Sequence, residues 1–184
     1  MSEKTDEEIA FLVQKGDIEA FGMLVTRYEN KMLRYARRFL FASDDARDVV
    51  QDVFIKAFTN INSFDTKRHF SPWIYRIAHN QFINQIKKKG KEPVSRIDTD
   101  TFFPHLRSKH NPAQEVDQKE LQKLMDASLD KLKPKYREVL VLHYYEDLKY
   151  AEIAEVLRIP TSTVGVRISR AKAQLGKIVK KQEE

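Results

Sequence analysis

Apolar residues recur every three or four positions along residues 20–40, and this spacing constrains the fold more than any other feature. The residues that carry it are Phe21, Leu24, Val25, Tyr28, Met32, Leu33, Tyr35, Ala36 and Phe39. Such spacing places one apolar stripe on a helix, whereas a strand alternates every second residue. Glycine and proline number only 5 and 6 in 184 residues, which disfavours the many turns of a sandwich or barrel. The sequence therefore predicts an all-α protein.

Two of the other predicted helices are marked by signals in their first turns. Ser43 precedes two acidic residues, which is typical of an N-cap followed by side chains that suit the positive end of a helix. This pattern predicts a helix over residues 44–59. Ser71 as the N-cap followed by Pro72 is a second start signal, because proline fits the first helical position. The helix that it opens is expected to end at Lys89, before a glycine.

Residues 91–117 separate two helical blocks. Three prolines interrupt this segment and its apolar residues lack a helical period, which is typical of a linker. We therefore predict an N-terminal domain in residues 1–90, a flexible linker in 91–117 and a C-terminal domain in 118–181. Three apolar residues of the linker are expected either to lie on a neighbouring domain or to insert into a groove of a partner: Phe102, Phe103 and Leu106.

What the sequence lacks excludes several functional classes. Cysteine is absent, so there are no disulfides, no thiol nucleophile and no zinc site built on cysteine. The polar, acidic start is unlike a signal peptide, and no apolar run approaches the roughly 18 residues of a membrane span, so we expect a soluble, cytoplasmic protein. Only His105 and His110, both in the linker, have the spacing of metal ligands, and no glycine-rich phosphate loop is present. We predict no metal, no cofactor and no enzymatic activity.

Basic residues are concentrated in two segments of the chain. The formal net charge is only +6, yet residues 66–91 and residues 158–181 each contain seven lysines and arginines and no acidic residue. A charged run is often only a solvated face. One such segment in each predicted domain instead favours binding to a polyanion such as nucleic acid.

A helix-turn-helix pattern begins at Tyr150. A short helix, a turn at residues 158–160 and a second helix opened by Thr161 fit this motif. On the second helix one apolar stripe must face inward: Val164, Ile168, Ala171 and Leu175. The opposite side presents hydroxyl, methyl and basic groups that suit phosphates and base edges in a major groove: Ser162, Thr163, Val166, Arg167, Ser169, Arg170 and Lys172. The alternative is a basic amphipathic helix that only packs.

The helix predicted from Pro72 to Lys89 has a mixed polar and aromatic face. Two basic residues, two amides and a tryptophan fall in one arc, opposite the apolar side: Trp73, Arg76, Asn80, Asn84 and Lys87. The preceding loop adds further cations and a ring: Lys67, Arg68 and Phe70. Aromatic rings among cations are typical of single-stranded DNA binding, because bases stack on rings while cations follow the phosphates. The alternative is that Trp73 is simply a core residue.

The helix predicted over residues 44–59 carries an acidic face on a basic protein. Its members are Asp44, Asp45, Asp48, Gln51 and Asp52, and small or branched apolar residues occupy the other side. Plain solvation, a metal ion or a basic protein partner would each account for such a face. Metal is the weakest of the three, since no histidine accompanies the carboxylates.

These stretches together resemble the bacterial extracytoplasmic-function (ECF) RNA polymerase sigma factors, group 4 of the sigma-70 family. The matching motifs follow the family's order along nearly the whole chain. In the N-terminal half they are Ala20 to Tyr28, Asp48 with residues 51–54, and residues 70–80. In the C-terminal half they are Leu132 with Pro134, residues 136–140, residues 152–155, and Thr163 to Lys172. Singly each motif is weak, and together they are specific.

The resemblance implies a sequence-specific transcription initiation factor that directs core RNA polymerase to −35/−10 promoters. The first domain would bind the β′ coiled coil of the polymerase through Asp44, Asp48, Gln51 and Asp52, and would melt and hold the −10 element. The second domain would bind the −35 element as duplex, near the β flap. An anti-sigma factor is a further plausible partner. The alternative, a stand-alone helix-turn-helix regulator with an N-terminal interaction domain, leaves the Trp73 face unexplained.

Three positions depart from the family's pattern. Gly165 stands where a basic residue is usual, which removes a phosphate contact and costs about 1 kcal/mol of helix propensity. Arg158 stands where glycine is usual, so the turn is expected to be looser or mildly strained. Asn84 stands where an acid is common. These departures bear on base preference more than on function.

Overall fold

The computed structural model describes residues 4–40, 43–89 and 124–183, with side chains described for 4–39, 46–88 and 124–180. All the regular elements in these ranges are helical, so the all-α prediction is confirmed. The predicted linker, with its three apolar residues and two histidines, lies outside the described residues. The chain divides into two compact units, one built mainly from the N-terminal helices and one mainly from the C-terminal helices.

Among its described residues between 4 and 89, the first unit contains four helices and one short 3₁₀ turn. They are α1 (Asp6–Gln14), α2 (Phe21–Leu40), α3 (Ser43–Asn60), the 3₁₀ turn (Ile61–Ser63) and α4 (Phe70–Lys89). Helix α2 packs against α3 and α4, and α1 packs across α2 and α4. Most of the periodic apolar residues of α2 are buried, including Leu24, Met32 and Ala36, as their spacing predicts.

A cluster of aromatic rings joins α2 to α4. Tyr35 lies 5.7 Å from Tyr75 and 5.0 Å from Phe82 between ring centroids, and Phe39 lies 5.9 Å from Phe82. Tilted ring pairs of this kind each contribute about 0.5–1.5 kcal/mol beyond the apolar area that they bury. Because these rings fix one side of α4 to the core, they also fix which side of α4 faces outward.

Helix α4 begins at Phe70, so the prediction that Ser71 caps it is wrong. The cap comes instead from a distant helix. The backbone N–H of Phe70 donates a hydrogen bond of 2.9 Å to Oε1 of Glu7 on α1. A carboxylate at this end also suits the partial positive charge of a helix N-terminus. The chain therefore does not need a local N-cap at Ser71, which lies inside the helix.

Residues 124–183 of the described chain form four helices, which belong to the second unit except for residues 155–158. They are α5 (residues 124–130), α6 (Pro134–Leu140), which continues as a π-helical turn (Val141–Tyr145), α7 (Tyr150–Leu157) and α8 (Thr161–Glu183). Helix α6 packs along α8. The core of this unit is formed by apolar side chains that are at least 97% buried: Leu129, Leu132, Val139, Leu142, Ile153, Val164 and Ile168.

The turn between α7 and α8 closes through a left-handed residue. Arg158 has φ of 53°, and the N–H of Ile159 donates to the carbonyl of Ala154 at 3.1 Å. This is the hydrogen-bond pattern that ends many helices, and glycine is usual at the left-handed position. A side chain there costs about 1–2 kcal/mol. The strain expected of Arg158 is thus present in the backbone.

Candidate nucleic-acid interface

Helix α8 has two distinct faces, as its sequence predicts. Val164, Ile168 and Ala171 are at least 98% buried against the unit's core. The opposite side contains exposed or half-exposed residues: Ser162, Thr163, Val166, Arg167, Ser169, Arg170 and Lys172. Leu175 is half-buried, so the inward stripe weakens toward the C-terminal half of the helix. The structure therefore brings the predicted duplex-contacting residues together on one solvent-facing surface.

Lys172 on this surface is held by a tyrosine that the sequence did not mark. Its Nζ lies 5.1 Å from the ring centroid of Tyr144. A hydrogen bond with Tyr144 raises the pKa of Lys172. Tyr144 is half-exposed and belongs to the π-helical turn after α6. Because this turn departs from a regular helix, helical periodicity gave no signal for Tyr144.

Gly165 faces a second exposed tyrosine. A Cβ added at Gly165 would lie 3.8 Å from Cε2 of Tyr150, which is an ordinary van der Waals contact. The Tyr150 ring in turn lies 5.0 Å from that of His143, whose Nδ1 donates to the carbonyl of Leu148 at 2.9 Å. A long side chain at position 165 would have to share this space with Tyr150. Position 165 thus lacks a basic side chain and lies next to the ring of Tyr150.

Helix α4 presents the predicted polar arc away from the first unit's core. Asn80, Asn84 and Lys87 are exposed, and Trp73 and Arg76 are half-exposed. The apolar side predicted for the same helix is buried at Ile74, Tyr75, Ala78 and Phe82. We call the exposed set, with Lys67 and Arg68 of the preceding loop, the α4 face. Both loop cations are exposed.

Phe70 does not belong to the α4 face. Its side chain is fully buried, so the prediction that its ring contacts DNA is wrong. The ring lies 5.4 Å from Trp73, 5.3 Å from Phe64 and 5.5 Å from Tyr28, which fills its surroundings with other aromatic side chains. Phe70 instead packs against the ring of Trp73. Phe64 packs against the same ring, with 5.2 Å between the ring centroids.

Helix α3 separates acidic and apolar residues on opposite sides. Asp48, Gln51 and Asp52 are exposed, while Val49, Val50 and Val53 are buried, as are Ala46 and Ala57. The side chains of Asp44 and Asp45 lie outside the described residues. Within the part of the chain that the structure describes, no group of three histidine or acidic side chains could hold a metal ion. The described part of the acidic face is thus exposed.

Both units match models of one protein family. The model for Sigma-70 region 2 matches residues 24–92, and the model for Sigma-70 region 4 matches residues 122–175. The chain is 37% identical over 171 residues to the ECF RNA polymerase sigma factor SigW of Bacillus subtilis, covering 90% of this chain and 91% of the relative. The chain belongs to the ECF sigma factors. It is also 34% identical to the ECF RNA polymerase sigma-E factor of Haemophilus influenzae, with 93% of each chain covered.

The family gives the sigma factor its general activity. It is a transcription initiation factor that acts with RNA polymerase at promoters, and it is not an enzyme. Its fold is similar to that of CnrH in complex with the cytosolic domain of CnrY, with a TM-score of 0.72, 28% identity and coverage of 96% and 98% of the two chains. It is also similar to the sigma factor RpoE in complex with the anti-sigma factor NepR from Bartonella quintana, with a TM-score of 0.71, 26% identity and coverage of 87% and 96%.

None of the helices in the described residues is both long and apolar enough to cross a bilayer.

Proposed function

We propose that the sigma factor divides promoter recognition between its two units. The exposed side of α8 binds the −35 element as duplex, and the α4 face captures unpaired bases of the −10 element. The observation that carries this proposal is that Trp73 is half-exposed on α4, one helical turn before Arg76 and shortly after the exposed loop cations Lys67 and Arg68. A half-exposed ring has a free area on which a base can stack, whereas a tryptophan buried in the core would have none.

Duplex DNA and unpaired DNA need different binding groups, and the exposed side of α8 and the α4 face differ in the groups that they offer. Stacking of a base on an aromatic ring is worth about 1–3 kcal/mol per base and needs an unpaired strand. The α4 face offers such a ring together with the amides of Asn80 and Asn84, which can bond the edge of an extruded base. The α8 surface offers hydroxyls, guanidinium groups and the 49% exposed methyls of Val166, which suit base edges in an intact major groove.

Docking on core polymerase is assigned to the acidic face of α3. Asp48, Gln51 and Asp52 are exposed and would meet a basic surface of the β′ coiled coil, and Asp44 is assigned to the same contact. The second unit would lie near the β flap. We assign polymerase and −10 binding to residues 1–90 and −35 binding to residues 118–181. The linker at residues 91–117 would make the second DNA contact intramolecular, which raises overall affinity without new contacts.

The activity of the chain would be controlled by an anti-sigma factor that sequesters it. Two solved structures that the chain resembles are complexes, one with CnrY and one with the anti-sigma factor NepR. We propose that a protein of this kind binds the present chain and that the chain acts in the cytoplasm, where promoters and polymerase are.

Transcription from a promoter library, with and without core polymerase, tests the assignment. Specific recognition should depend on core polymerase, because each DNA contact alone is weak. A stand-alone regulator would instead bind its site equally well and equally specifically without polymerase, and that result would sink the proposal.

A further inference from the structure

Two polar side chains of α1 form hydrogen bonds with the segment that runs from the 3₁₀ turn to the first residue of α4. The side-chain amide of Gln14 donates both of its protons, one to the carbonyl of Ile61 at 2.7 Å and one to the carbonyl of Phe64 at 2.8 Å. The carboxylate of Glu7 accepts the N–H of Phe70 at 2.9 Å. Glu7 and Gln14 are seven positions apart, which is two helical turns, so both lie on the same side of α1.

The two tied segments contain the two rings that support Trp73. Phe64 and Phe70 lie 5.2 and 5.4 Å from the indole and 5.3 Å from each other, so the three rings form a closed triangle. Gln14 fixes the backbone of the first ring and Glu7 fixes the backbone of the second. Helix α1 itself lies before residue 24, where the match to the family model begins.

We propose that Glu7 and Gln14 are positioning residues for single-strand capture: they hold Phe64 and Phe70 so that the outer side of Trp73 faces the −10 strand. Neither residue contacts DNA. This inference rests on the proposed function of the α4 face, and it adds that α1 sets the geometry of that face. A chain without these bonds would keep Trp73 but would present it in a range of orientations.

The emission of the free chain tests the contacts directly, because Trp73 is the only tryptophan among the 184 residues. Gln14→Met and Glu7→Met remove the donor and the acceptor while keeping helix propensity and side-chain length. Each is expected to shift Trp73 emission to longer wavelength and to raise acrylamide quenching about twofold, with far-UV circular dichroism unchanged. Glu7→Gln keeps an oxygen acceptor for the Phe70 N–H, so its emission should match the wild type. Thr26→Ala is the control, since this exposed hydroxyl bonds only to its own helix at Gly22 among the contacts described.

Promoter opening by the full chain with core polymerase tests the consequence. With a fluorescent base analogue in the −10 non-template strand, Gln14→Met and Glu7→Met should each slow opening at least about fivefold, the factor that corresponds to the loss of one hydrogen bond. Binding to −35 duplex should stay within twofold. In a Trp73→Ala background, Gln14→Met should slow opening no further, because both changes act on the same ring.

Three results would overturn the inference. Unchanged emission in both methionine variants would show that α1 does not hold Trp73. Equal slowing by Gln14→Met with and without Trp73 would show that it acts through general destabilisation. Wild-type opening by Trp73→Ala would refute the proposed role of the α4 face, and the emission data would then still decide separately whether α1 holds the ring.

Discussion

Arg137 is a buried cation whose removal should destabilise the second unit without touching any proposed contact with DNA. Its side chain is 5% exposed. Its guanidinium donates to three backbone carbonyls, those of Leu129 and Asp130 at 2.8 Å and of Leu132 at 3.3 Å. Nη1 also lies 3.6 Å from the Asp130 carboxylate. The group thus satisfies carbonyls where α5 ends, and the carbonyl of Leu129 also accepts the N–H of Leu132 at 3.0 Å.

The cost of Arg137→Met follows from these contacts. Three hydrogen bonds at about 1–1.5 kcal/mol each amount to a loss of about 3–4 kcal/mol. Burial lowers the pKa of Arg137 to about 10, although the nearby Asp130 raises it. The buried charge therefore costs free energy in the folded state. Removing it recovers part of the stability that the lost hydrogen bonds take away. We expect a net destabilisation of about 2–3 kcal/mol. Arg137→Lys should cost as much, because one ammonium on a linear stem cannot meet three carbonyls in the guanidinium's geometry.

Urea unfolding of the full chain with two probes measures this loss. Far-UV circular dichroism follows all helices, while Trp73 emission follows the first unit alone. The transition of the second unit should move to lower urea and the Trp73 transition should stay in place. A change below about 0.5 kcal/mol, the range of ordinary surface substitutions, would refute the role given to the three hydrogen bonds.

Three further predictions concern single residues. Gly165→Ala should stabilise the second unit by up to about 1 kcal/mol, because alanine is the better helix former and its Cβ meets Tyr150 at an ordinary 3.8 Å; a lower melting temperature would contradict this. Burial raises the pKa of Tyr28 well above its usual value, so stability present below about pH 10 should be lost by about 1.4 kcal/mol per pH unit above it. Urea unfolding followed by Trp73 emission between about pH 8 and 11 measures this, and above about pH 10 Tyr28→Phe should lose about 1.4 kcal/mol per pH unit less than the wild type. Lys172→Gln should reduce the slope of log K against log salt for duplex binding by about 1, whereas an equal slope would remove Lys172 from the interface.

Faces of individual helices could be predicted from the sequence. The apolar stripe of α8, with Val164 and Ile168 buried, follows from spacing alone. The exposed arc of α4 and the acidic side of α3 follow in the same way. Each depends on residues close in sequence, because the helical period fixes their relative directions once the helix forms. The irregular turn that presents Tyr144 breaks this period and was missed.

Contacts between distant residues could not be predicted in this way. Phe70 is an aromatic residue close in sequence to cations, which by itself suggests a ring that stacks on DNA bases. Only the fold reveals that Tyr28, Phe64 and Trp73 surround it. The N-cap of α4 comes from Glu7, 63 positions earlier. Arg137 lies in a motif of the family, but a charged residue is expected at the surface, so its burial gave no sequence signal.

The central claim is that the two DNA states are bound by two different surfaces, and Trp73→Ala and Arg170→Ala test it most directly. With core polymerase and a promoter, opening of the −10 region and binding of −35 duplex are measured for each variant. Trp73→Ala should slow opening about tenfold, as the loss of one stacked base implies, and leave duplex binding within twofold. Arg170→Ala should weaken duplex binding and leave opening from a preformed complex unchanged. Equal losses in both measurements for both variants would contradict the account.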